Sequence, residues 1–144
     1  MKIKTIHIEN FGKLSDETIA LEESLTSYMH ENGWGKTTLA VFIKAIFYGM
    51  ADKNPRSKEF SEREKYQPWG GGTYGGSITF VYNGKEYKVT RTFGARQKDD
   101  TFEVYDALLN KPCEALADST NGTLGDNIFK IDRDTFERSV FVTL

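Results

Sequence analysis

The stretch His30-Glu31-Asn32-Gly33-Trp34-Gly35-Lys36-Thr37-Thr38 decides the reading of this chain. A glycine-rich turn running into Gly-Lys-Thr at the head of a helix is what a bound triphosphate requires. Glycines let backbone N–H groups converge on phosphate oxygens without Cβ clashes, and the helix N-terminus adds partial positive charge. In that arrangement Lys36 reaches the β- and γ-phosphates and the Thr37 hydroxyl ligates Mg²⁺. Glu31, Asn32, Gly33, Trp34, Gly35 and Thr38 complete the candidate nucleotide-binding set for ATP and Mg²⁺. One position departs from the full GxxxxGK[ST] pattern: His30 stands where it has glycine, so the loop entry must tolerate an unusual backbone angle or be reshaped. A glycine-rich helix cap without a ligand is the bland alternative.

Downstream, Leu39, Phe42, Ile43, Ile46 and Phe47 fall at helical spacing on one stripe, and Gly49 is the expected stop. Upstream, residues 2–29 read as strands. Ile3, Ile6 and Ile8 nearly alternate, Phe11-Gly12-Lys13 makes a turn, LSDETIAL returns, and Leu25 to Met29 is a short strand-like run. Residues 50–76 read as a long, mobile, solvated loop. Its Lys53, Arg56, Lys58, Arg63 and Lys65 nearly balance Asp52, Glu59, Glu62 and Glu64, and Tyr66, Trp69 and Tyr74 read as packing and turn residues. From Ser77 the period is two. SITFVY, Asn83-Gly84 and KEYKVTRTF form the strongest hairpin signal, and TFEVYDALL is a third strand of the same antiparallel meander. Leu124 to Phe129 and Asp132 to Arg138 read as short helices, and SVFVTL as a closing strand.

Composition bounds the possibilities. The 144 residues suit one domain, 1–144, and 38% hydrophobic with 28% charged residues is the soluble range. No apolar run approaches the roughly 20 residues of a membrane span. The opening KIKTIHIEN lacks the apolar core of a secretory signal, and the single cysteine, Cys113, cannot form an internal disulfide. A reducing cytoplasm is the expected compartment. Net charge is −2, so any nucleic-acid contact would be local. Lys85, Lys88, Arg91, Arg96 and Lys98 against Glu86 give residues 85–98 a local +4, the best candidate for a DNA backbone contact, although a charged outer sheet face is the plainer reading. His7 and His30 have no companions at catalytic or metal spacing.

MKIKTIHIENFGKLSD, ENGWGKTTLAVFIKAIFYGM, YQPWGGGTYGGSITF, KVTRTFG and DRDTFERSVFVTL resemble the N-terminal ATPase lobe of SMC/SbcC-type P-loop ATPases, of the YhaN-like AAA kind. The resemblance implies an α/β fold: the N-terminal half of an ABC-type head, with an antiparallel β meander on one side of the sheet. It implies that the chain is a fragment of a longer coiled-coil protein. The missing C-terminal lobe would carry the signature motif, the Walker B carboxylates and the catalytic base, so no catalytic residue is assigned here. The glutamine that usually follows the closing strand is not seen at Thr143-Leu144. The resemblance also places Lys13 near the nucleotide and Asn32 near the γ-phosphate. It implies a second protomer across an ATP sandwich, with double-stranded DNA and a nuclease subunit as further partners, and work in DNA repair, chromosome maintenance or phage defence. The rivals are a small self-sufficient P-loop kinase or GTPase, which lacks its guanine-reading or acceptor residues here, and a non-catalytic scaffold that keeps the fold.

Overall fold

The computed structural model describes residues 2–22, 28, 36–58, 61–82 and 84–112, with Lys36 described in its backbone alone. The predicted 124–129 and 132–138 helices, the closing strand and Cys113 lie outside these residues, as do His30 and most of Leu25–Met29. Tyr28, the described member of that last run, has helical rather than extended backbone. So short an apolar run cannot be assigned by periodicity alone.

Among the described residues, six strands make one antiparallel sheet: β1 (Lys2–Phe11), β2 (Leu14–Ala20), β3 (Gly75–Tyr82), β4 (Lys85–Thr92), β5 (Thr101–Asp106) and β6 (Lys111–Pro112), in the order β2-β1-β3-β4-β5-β6. The expected antiparallel meander lies on one side of this sheet and is continuous with the opening strand, because β3 pairs with β1 from Lys2↔Val81 through Asn10↔Gly75.

The spacing of apolar residues in β1 explains itself in that pairing. Ile3, Ile6, Ile8 and Phe11 are all buried, although two of the three intervals are odd. The register shifts between Ile3 and Thr5 and again between Ile8 and Asn10, and each irregularity returns the next apolar residue to the core face.

Helix α1 (Lys36–Tyr48) packs on that face. Phe47 meets Phe80 edge-on at 5.5 Å between centroids, and Phe42 meets Phe11 at 5.3 Å. The Phe42 ring also lies over Gly76, where a Cβ would come within 2.8 Å of it and 2.2 Å of the His7 carbonyl oxygen. Gly49 ends α1 as expected, with φ +80° and its N–H bonded to the Ala45 carbonyl at 2.8 Å.

The 50–76 segment is not one solvated loop. Residues 51–58 are exposed, but a short helix α2 (Glu62–Lys65) follows, capped by Ser61. Arg63 is only 3% exposed and Tyr74 is buried. The charge balance that suggests solvation is misleading because Arg63 finds its carboxylate, Asp100, beyond β4 in the chain (2.6 and 2.9 Å). Of the expected packing and turn residues, Trp69 lies in a turn and is 79% exposed. No helix among the described residues is long and apolar enough to cross a membrane.

Candidate functional site

Helix α1 opens at Lys36, the lysine of the Gly-Lys-Thr motif. Its first turn carries no acidic residue, so the partial positive charge of the helix end is not neutralised from within that turn. The Thr37 side chain is exposed and Thr38 is half-buried, while every residue from Leu39 through Met50 is buried. The helix thus presents one polar turn and sinks the rest into the core. The loop residues Glu31, Asn32, Gly33, Trp34 and Gly35 lie outside the described residues.

The β1–β2 turn sits against that polar turn. Gly12 has φ +59°, and a Cβ built on it would lie 3.7 Å from Thr38 Cγ2 and 3.3 Å from Tyr66 Cδ1. Glycine is needed here for its backbone angle as well as for the close approach. Lys13, exposed, is the next residue of the turn. The fold therefore brings Lys13, Thr37 and Thr38 to one end of α1, although nothing in their sequence spacing would do so.

A third segment closes on the same turn. The Gly12 N–H donates to the Tyr66 carbonyl at 2.7 Å, and the Gly12 carbonyl accepts from the Trp69 N–H at 3.0 Å. Tyr66 stacks on Phe11, 5.2 Å between centroids, and burial pushes its hydroxyl pKa up. Asn10 continues the seam: its Nδ2 donates to the Thr73 carbonyl at 3.0 Å while its Oδ1 accepts from Ser15 Oγ at 2.7 Å.

Behind the site, two buried cations each find a carboxylate. Lys44, 2% exposed in the body of α1, reaches Glu62 at 2.6 Å and so ties α2 to α1. The Arg63 guanidinium forks onto Asp100 and also donates to the Met50 carbonyl (2.6 Å) and the Gly94 carbonyl (3.0 Å). Hydrogen bonding to Asp100 raises its pKa and holds it protonated despite burial. Tyr74 donates its hydroxyl to the Arg63 carbonyl at 3.1 Å, and burial drives its pKa up. Sequence reading missed this knot, for which no local signal exists.

The basic 85–98 segment does not form one patch. Arg91 is buried, its guanidinium 4.1 Å over the Phe102 ring and its Nε donating to the Ile46 carbonyl at 2.9 Å. Lys85 pairs with Asp106 at 3.3 Å. Lys88, Arg96 and Lys98 are exposed. His7 lies on the other face of the sheet, Nδ1 2.9 Å from the Thr18 hydroxyl and Nε2 3.3 Å from Glu9, in keeping with a structural reading.

Residues 1–139 match the family described as AAA ATPase domain. Over 102 residues, 68% of the chain, the sequence is 31% identical to the uncharacterized protein YhaN of Bacillus subtilis strain 168, of which this covers 9%. Over 144 residues, 99% of the chain, it is 23% identical to the DNA double-strand break repair Rad50 ATPase of Methanosarcina acetivorans, of which this covers 13%. The chain spans about a tenth of the length of these curated relatives.

Proposed function

The chain belongs to the AAA ATPase domain family, and from that premise we propose that it is the ATP-binding N-terminal lobe of an SMC/SbcC-like ATPase whose heads engage when ATP binds. The observation that carries the reading is the start of α1. The Gly-Lys-Thr motif falls on the first turn of a 13-residue helix that is otherwise buried, and that turn has no carboxylate to compete with phosphate.

Each residue then has a task. Lys36 neutralises the β- and γ-phosphates, and the backbone from Gly33 to Thr38 donates to their oxygens. Lys13, on the abutting turn, adds a second cation. Asn32 orders the γ-phosphate side, and Glu31 and Trp34 complete the loop. An exposed threonine hydroxyl at the helix start is a hard oxygen donor that would hold Mg²⁺, and the metal would supply positive charge to offset that of the phosphates. Thr37 is its protein ligand.

Hydrolysis needs more than this lobe offers: a carboxylate for the metal, a group to orient water, and a partner's residues on the γ-phosphate. We assign those to a C-terminal lobe of the same ATPase and to a second protomer across an ATP sandwich. The proposed setting is the cytoplasm, in DNA repair, chromosome maintenance or phage defence, with double-stranded DNA and a nuclease subunit as partners. The Rad50 relative, named for double-strand break repair, is the support for that setting.

Calorimetric titration with Mg²⁺-ATP, beside Lys36→Ala and His30→Gly, tests the proposal. Binding by the wild type that is lost in Lys36→Ala supports it. Binding only after His30→Gly points instead to a scaffold that has lost its ligand. Silence in all three refutes the nucleotide reading of the lobe.

A further inference from the structure

The glycine-rich segment carrying Trp69 is held on both sides, yet the indole itself is 79% exposed. On one side lie the paired hydrogen bonds between Gly12 and Tyr66 and between Trp69 and Gly12, with the Gly71 N–H bonded to the Pro68 carbonyl at 3.2 Å. On the other side Asn10 holds the Thr73 carbonyl, and Tyr74 is anchored in the core. Gly72 packs so closely on Asn10 that a Cβ there would approach its Nδ2 to 2.6 Å. Ordering a backbone this thoroughly costs conformational entropy, which is poorly spent on presenting a bare aromatic ring to water.

The glycines that follow the indole also have room. A Cβ placed on Gly70 or Gly71 would meet no described atom within 4 Å. Gly71 is accounted for by its φ of +77°, but Gly70 has neither a positive φ nor a close neighbour among the described residues to require glycine. A side chain added at Gly70 would enter open space directly after Trp69 in the chain.

The position is the third element. Trp69 bonds to the carbonyl of Gly12, and the Cα side of Gly12 abuts Thr38 on the first turn of α1. The Trp69 backbone is therefore linked to the polar end of the helix through a single intervening residue, Gly12. A nucleotide holds its base away from its phosphates by the width of the ribose, so a group that reads the base belongs a step away from the helix end.

We infer that the indole of Trp69 is the platform on which the base of the bound nucleotide stacks. The inference rests on the nucleotide reading above and adds to it the residue that takes the other end of the ligand. Because every base offers a π face, this contact supplies affinity without choosing adenine.

The test is calorimetry on the full chain with three probes: Mg²⁺-ATP, Mg²⁺-GTP and Mg²⁺-tripolyphosphate, which has the phosphates but no base. Trp69→Ala should weaken both nucleotides by about tenfold and leave tripolyphosphate unchanged, while Trp69→Phe should stay within about threefold of the wild type. Gly70→Leu, which adds a side chain directly after Trp69, should weaken the nucleotides without lowering the melting temperature. An equal loss for tripolyphosphate would mean that Trp69 merely shapes the turn, and would overturn the inference. Unchanged ATP affinity in Trp69→Ala would overturn it too, including the case in which the variant alters only self-association and so assigns the indole to a second copy. A wild type that binds tripolyphosphate but gains nothing from the base rejects this inference alone. A wild type that binds none of the three rejects the nucleotide reading beneath it.

Discussion

The two ends of α1 are treated in opposite ways. At its C-terminal end, where carbonyls carry partial negative charge, other parts of the chain bring cations: Arg91 from β4 donates to the Ile46 carbonyl, and Arg63 from α2 donates to the Met50 carbonyl just beyond. No basic residue of the last turn itself does this. At the N-terminal end the first turn has no carboxylate, Thr37 faces solvent, and the abutting β1–β2 turn carries Lys13. Among the described residues, one pole of the helix is completed by cations from elsewhere in the chain, and the other carries the Gly-Lys-Thr turn that the proposal above gives to an anion. On that proposal, stability and function are separated along one element.

That separation can be broken by substitution. Phe42→Ala, which empties the space between Phe11 and Gly76, should cost about 4 kcal/mol in urea unfolding. It should leave the ATP affinity of the folded fraction nearly intact; a comparable loss of affinity would show that the two ends are not separable. Arg63→Ala, which strands Asp100 in the interior, should cost about 3 kcal/mol, and Arg63→Met with Asp100→Leu should recover most of it.

Lys36→Ala gives the reverse pattern: ATP binding weaker by about 100-fold, a loss of about 3 kcal/mol, with the melting temperature of the unliganded chain unchanged. Gly12→Ala falls between the two classes. Its left-handed backbone and the 3.3 Å approach to Tyr66 predict a cost of about 1–2 kcal/mol, and the displaced turn should weaken ATP binding as well.

The smallest effect concerns pH, far from the site. The Leu109 N–H, opposed by burial and helped by Lys85 and the Leu108 N–H, holds the Asp106 carboxyl below its ordinary range. A depressed carboxylate contributes stability that is full above its unfolded value of about 3.9 and is lost as pH falls through the lower folded value. The urea midpoint of the wild type should therefore fall below about pH 4 more steeply than that of Asp106→Asn, whose side chain does not titrate. Parallel curves would remove Asp106 from the acid limb.

What the sequence discloses and what it hides follow from the range of the interactions. The β3–β4 hairpin with Gly84 at φ +77°, the stripe from Leu39 to Phe47 and the stop at Gly49 are local, and local chemistry determines them: a turn angle, a helical period, a missing Cβ. The odd intervals of Ile3, Ile6, Ile8 and Phe11 look like imperfect alternation until the two bulges of β1 account for them. Arg63 and Arg91 look like surface cations because their partners, Asp100 and the Ile46 carbonyl, are distant in the chain. The candidate site divides in the same way. Lys36 and Thr37 are legible from the motif, and Lys13 entered through family resemblance. The exposure of Trp69 depends on the Gly12 contact and could be seen only in three dimensions.

The central pairing of β1 with β3 has a kinetic consequence. The glycine-rich stretch before α1, α1 itself and α2 all lie in the chain between those two strands, whereas β3, β4 and β5 are joined by short connections. The meander can form early from neighbouring residues, but closing β1 onto it must enclose the whole intervening segment and bear that loss of chain freedom at once. Refolding should accordingly run in two stages, with tyrosine burial in the meander, Tyr87 above all, preceding the recovery of any nucleotide affinity. The N-terminal end of α1 matures last, when the chain's first strand finds its place.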